Sequence, residues 1–184
     1  MSQPKVAIFW FRRDLRLDDN VGLFNALQSD FPVVPLFIFD DAILENLPKN
    51  DARVGFIHET LEKIDLQLKE MGSSLVIKKG KTHEVWQNLL SEFEVQQLHY
   101  NKDYEPYAKQ RDLAICELLQ TKNIKSFGHK DQVIFEESEI TKADGLPYTI
   151  YTPFKNKWLE KFSRIQPIQN FDSSVYYFNF YKNQ

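Results

Sequence analysis

A single cysteine, Cys116, occurs in 184 residues. It excludes an intramolecular disulfide framework and points to a reducing compartment, the cytoplasm. Glycine is scarce, with six in the chain. No G-x-G-x-x-G follows the first apolar run, and no G-x-x-x-x-G-K-[ST] appears anywhere, so the glycine cradles of NAD and P-loop proteins have no counterpart. No apolar run approaches the roughly 20 residues of a membrane span. Met1 to Lys5 lacks a basic stretch leading into an apolar one, so no secretory signal is expected. The net charge is -3, whereas a domain that holds nucleic acid by itself is usually basic. His58, His83, His99 and His129 show no ligand spacing with each other or with Cys116, so no metal site is expected.

What is present suits one ordinary domain with a dense core: 42% hydrophobic and 27% charged residues, and 15 phenylalanines. Val6–Phe11 is a continuous apolar run of strand length, as expected of a strand buried on both faces of a parallel sheet. Asp18 or Asp19 is placed to cap a helix through Leu23, Ala26 and Leu27. Val33–Phe39 reads as the second strand, with Pro35 marking an irregularity or a side that lacks a hydrogen-bonding neighbour. After a loop from Asp40, Asp51 precedes a long helix whose stripe is Val54, Ile57, Leu61, Ile64, Leu68 and Met71. Leu75–Ile77, Gln97–Tyr100 and Ile124–Phe127 read as further strands. They alternate with helices that start near Thr82 and at Pro106. This rhythm predicts an α/β fold, a doubly wound (Rossmann-like) parallel five-stranded sheet with helices on both faces. Tyr151–Phe162 reads as one more helix. Residues 1–163 form the expected domain, and the aperiodic stretch 164–184 reads as the start of a linker.

Three segments carry chemistry. Trp10–Asn20 leaves the carboxyl end of the first strand with three arginines and three aspartates in nine residues. Ligands of open α/β sheets sit at such ends. The charges suit either a self-neutralising lattice or guanidiniums facing a ligand. Tyr100–Tyr107 stands at the end of the fourth strand, and Thr152–Trp158 opens the last helix.

Trp10–Asn20 resembles the opening signature of the DNA photolyase/cryptochrome family. Tyr100–Asp112 resembles the family's second block and Thr152–Trp158 its third, in the family's order. The resemblance implies an N-terminal α/β domain that holds a light-harvesting antenna chromophore. It implies that a helical domain beyond this chain binds FAD and damaged DNA. It also implies cyclobutane dimer repair by the full-length enzyme, with this fragment inactive alone and binding DNA weakly. A cryptochrome photoreceptor and a stand-alone flavin- or nucleotide-binding α/β protein are the alternative readings.

The positions that match a deazaflavin or FMN antenna site are Phe37, Arg53 and Asp103. Arg12, Asp40 and Glu105 lie at neighbouring strand ends. They offer an aromatic wall, cations, and acceptors for ring N–H groups. Arg53 also suits a helix-start salt bridge with Asp51 or Asp103. Relatives with a folate antenna carry an Asn-Glu pair where this chain has Tyr107 and Ala108. Neither side chain replaces the carboxylate acceptor, so a flavin-like antenna is expected rather than folate.

Overall fold

The computed structural model describes residues 3–165 and 169–182. The chain divides into two compact units, Met1–Asp131 with Phe171–Gln184, and Gln132–Asn170.

The first unit is a five-stranded parallel sheet of β1 (Lys5–Phe11), β2 (Val33–Asp40), β3 (Val76–Gly80), β4 (Glu94–Asn101) and β5 (Lys125–His129), in the order β3-β2-β1-β4-β5. The central β1 is apolar along its length because both faces are covered: from Val6 to Phe11 no residue is more than 2% exposed. Its alternate side chains divide between two cores. Ala7, Phe9 and Phe11 meet α1 (Val21–Leu27) and α3 (Ala52–Glu70) on one face. Val6, Ile8 and Trp10 meet α4 (Thr82–Glu92) and α5 (Pro106–Gln120) on the other. The short α2 (Asp41–Leu44) follows β2 directly. Pro35 pairs in register with Phe9 of β1, and the ladder to β3 begins one residue later. The missing donor therefore sits where a second neighbour is not yet engaged.

Strand order reverses about β1. The chain winds outward through β2 and β3, then returns to β4 on the other side. The crevice at the carboxyl ends of β1 and β4 is the topological switch point. It is held by a buried polar network. Asn101 donates to Asp14 and Asn20 and accepts from the Gly22 N–H at 2.8 Å. Burial pushes the Asp14 carboxyl up, opposed by hydrogen bonds from Arg12 N–H and Asn101. The cap of α1 is Asn20, which accepts from Leu23 N–H at 3.0 Å, rather than Asp18 or Asp19. Asp19 instead takes a left-handed turn (φ 48°), and Asp18 accepts a hydrogen bond from Tyr177.

Residues 171–182 pack on this unit. A 3-10 turn, Ser174–Asn179, leads to Phe180, which is 1% exposed in the α1-side core and bridges to Val33. These residues belong to the stretch read as the start of a linker. Residues 166–168 and 183–184 of that stretch lie outside the described residues. The second unit carries α6 (Tyr151–Phe162), the helix read from the sequence. Its Trp158 packs edge-on against Phe135 and stacks on Phe162. Among the described residues no helix is long and apolar enough to cross a membrane.

Candidate functional site

The carboxyl ends of β1, β2 and β4 open into a cavity of about 370 Å³, within the size range of small-molecule sites. Arg12, Phe37, Asp40, Arg53, Asp103 and Glu105 all line it. Residues spread over nearly 100 positions thus come to one place because parallel strands bring their exits to one edge.

The six differ in how committed they already are. Phe37 is 6% exposed and packs edge-on against Phe39, forming an apolar wall. Asp40 is engaged on both oxygens: it caps α2 through Ala42 N–H and accepts from Thr82 at 2.8 Å and Tyr107 at 2.6 Å. Burial, then the hydrogen bond to Asp40, pushes the Tyr107 phenol up to about 12. Asp103 accepts from Glu105 N–H and stands 3.4 Å from Arg13, which also pairs with Glu105. Arg53 is 71% exposed and makes the helix-start pair with Asp51, at 2.9 and 2.6 Å. That pair and the Arg53 N–H hold the Asp51 carboxyl down to about 2.

Arg12 is different in kind. Its side chain is 6% exposed and pairs with Asp112 of α5. Its guanidinium lies over the rings of Trp10 and Tyr100, at 4.3 and 4.5 Å from their centroids. Burial pulls its pKa down, with Asp112 opposing. Nε and Nη2 have no hydrogen-bond partner. A buried donor left unmade is costly, so a ligand with an acceptor edge suits this place.

Two residues beyond these six complete the site. Arg111 lines the cavity, pairs with Asp112 at 3.2 Å and lies 4.9 Å from the Trp10 centroid. Thr82 fixes Asp40. The signal for Arg111 was its helical i,i+4 spacing from Tyr107, which puts both on one face of α5.

The sheet order, the switch-point cavity and the arginine-rich exit of β1 agree with a match to the DNA photolyase family model over residues 7–172. The chain belongs to the DNA photolyase family. A deoxyribodipyrimidine photo-lyase of Synechococcus is 31% identical over 82% of this chain and 31% of that protein. The structure of a bacterial class III photolyase from Agrobacterium tumefaciens matches with TM-score 0.79 and 27% identity, over 94% of this chain and 34% of that one. An archaeal photolyase from Sulfolobus tokodaii, solved with two FAD molecules and described as implicating a novel light-harvesting cofactor, matches with TM-score 0.73 and 28% identity, over 90% of this chain and 36% of that one. The chain spans about a third of the length of these photolyase relatives. The doubly wound sheet read from the sequence is the fold they share with it.

Proposed function

We propose that this chain is the antenna-chromophore-binding portion of a light-driven deoxyribodipyrimidine photolyase, and that the switch-point cavity holds a flavin-like chromophore, a deazaflavin or FMN. The observation that carries the reading is the convergence of Phe37, Arg53, Asp103, Arg12, Asp40 and Glu105 on one cavity. Phe37 would flank the ring, Asp103 would accept from a ring N–H, and the two orphaned nitrogens of Arg12 would donate to a ring acceptor. Asp40, already satisfied, and Glu105 would shape the floor and rim. Arg53 would close the outer edge. When bound, the chromophore absorbs light and passes the excitation on.

Tyr107 and Ala108 support a flavin over a folate. Tyr107 spends its hydroxyl proton on Asp40, and Ala108 is 4% exposed with no polar side chain. Residues 1–163 would then be the antenna domain and 164–184 the opening of the segment leading to the helical FAD domain of the same polypeptide. Damaged DNA would be engaged through that domain, in the cytoplasm. The photolyase similarity in its sequence supports this division of labour.

Equilibrium titration of the purified chain with FMN, a deazaflavin and a methenyl-folate tests the reading. The two flavin-like ligands should bind, and the folate should bind at least about tenfold more weakly, a difference of about 1.4 kcal/mol. Preference for the folate would overturn the assignment.

A further inference from the structure

Two guanidiniums rest on one indole in the cavity wall. Arg12 Cζ lies 4.3 Å and Arg111 Cζ 4.9 Å from the centroid of the Trp10 ring. Trp10 is 2% exposed and packs edge-on against Trp86 at 5.6 Å. One cation over a ring is an ordinary packing device. Two over a single buried ring bring like charges together, which packing alone does not call for. Asp112 holds the pair, taking Arg12 on Oδ2 and Arg111 on Oδ1, and with Asp40 beside Arg111 the cluster is neutral overall, while the two guanidiniums are the charges set over the ring. Arg111 also stands 4.0 Å from Asp40. A buried cluster of this kind is seldom the most stable filling for its volume.

An indole beside an excited flavin is an electron donor. One electron leaves the ring, the excited flavin takes it up, and the light energy is lost as heat when the electron returns. Removing an electron from Trp10 would create a third positive charge between 4.3 and 4.9 Å from two existing ones. We propose that Arg12 and Arg111 shield a photoexcited flavin-type ligand in this cavity from quenching, by making Trp10 hard to oxidise. The proposal rests on the chromophore reading and gives Arg111 and Asp112 a part in it. Unit charges at such distances near a protein surface interact by several times the thermal energy, so losing one guanidinium should speed electron transfer about tenfold.

The test uses FMN as the probe, with wild-type protein and the variants Arg111→Met, Arg111→Lys, Trp10→Phe and Arg111→Met with Trp10→Phe. Anisotropy reports the bound fraction, and the fluorescence decay of that fraction reports quenching. The bound lifetime should shorten about tenfold in Arg111→Met, return in the double variant, and stay within about twofold of wild type in Arg111→Lys. Trp10→Phe alone should leave it within about twofold, because the shielded indole is already silent. This last variant keeps the test decisive where Arg111→Met folds poorly. Bound FMN whose lifetime is unchanged in Arg111→Met, or is lengthened several-fold in Trp10→Phe alone, overturns the shielding and leaves the chromophore reading standing. A wild-type chain that binds neither FMN nor a deazaflavin overturns both.

Discussion

Gly22 stands where α1 meets β4 at the switch point, and its replacement by alanine tests how tightly that crevice is built. A Cβ there would come within 2.6 Å of Asn101 Oδ1 and 2.8 Å of Phe9 Cε2. Neither neighbour can yield cheaply. Phe9 is fully buried, and Asn101 is fixed by Asp14, Asn20 and the Gly22 N–H itself. Overpacking of this kind costs about 1–3 kcal/mol, and each displaced hydrogen bond of Asn101 adds about 1 kcal/mol. Alanine returns up to about 1 kcal/mol through its better helix propensity. The balance is a loss of about 2–3 kcal/mol. With a urea slope of about 2 kcal/mol/M, the unfolding midpoint should fall by about 1 M. Urea denaturation followed by far-UV circular dichroism measures this. A midpoint that is unchanged, or raised, would refute the claim that the crevice is closed by direct contact between α1 and β4.

Three further outcomes follow from buried groups and from the cavity. The His99 imidazole is held down to about 4 by burial and by His129. Between pH 6.5 and 4 the unfolded chain takes up a proton that the native state refuses. Stability should thus be level in this respect above pH 6.5 and fall by up to about 3 kcal/mol on the way down to pH 4. His99→Gln should remove that part of the decline, and an unchanged pH profile would contradict it. Phe180→Ala should cost about 3 kcal/mol by emptying a fully buried site; a thermal midpoint equal to wild type would show that residues 171–182 do not support the core. In flavin titrations Asp103→Ala should weaken binding about tenfold or more, while exposed, already paired Arg53→Ala should change it about two- to threefold. Equal, negligible effects would place the ligand elsewhere.

The sheet was legible because buried parallel strands leave an unbroken apolar signature, as in Val6–Phe11. The helices were legible because their stripes keep the 3.6 period. Edge strands were read short. β3 continues through Lys78, Lys79 and Gly80, residues whose polarity reflects a strand partly open to solvent. The cap of α1 was misplaced by one or two residues, since Asp18, Asp19 and Asn20 have equal local credentials. Asn20 is selected by its amide, which donates to Asp14 and Arg16 oxygens, and by the contact with Asn101. The arginines after β1 were visible, but their partners were not. Arg12 finds Asp112, Arg13 finds Asp103 and Glu105, and Arg16 finds Asp131, each far along the chain. Ion pairing across the switch point depends on which strand exits become neighbours, and periodicity does not carry that information. For the same reason Arg111 and Asp112 could be placed in the family's second block, while their position against Trp10 and Arg12 could not be read. Residues 171–182 lack a period because they follow the surface of a core they did not build, yet Phe180 fills it.

The most direct measurement of the central claim is a backbone amide chemical-shift map of ¹⁵N-labelled chain during titration with FMN. The account predicts saturable shifts concentrated at Arg12, Arg13, Phe37, Asp40, Asp103 and Glu105, at the carboxyl ends of β1, β2 and β4. Saturable shifts centred on β5 or the exposed face of α3, with those six amides still, would contradict it.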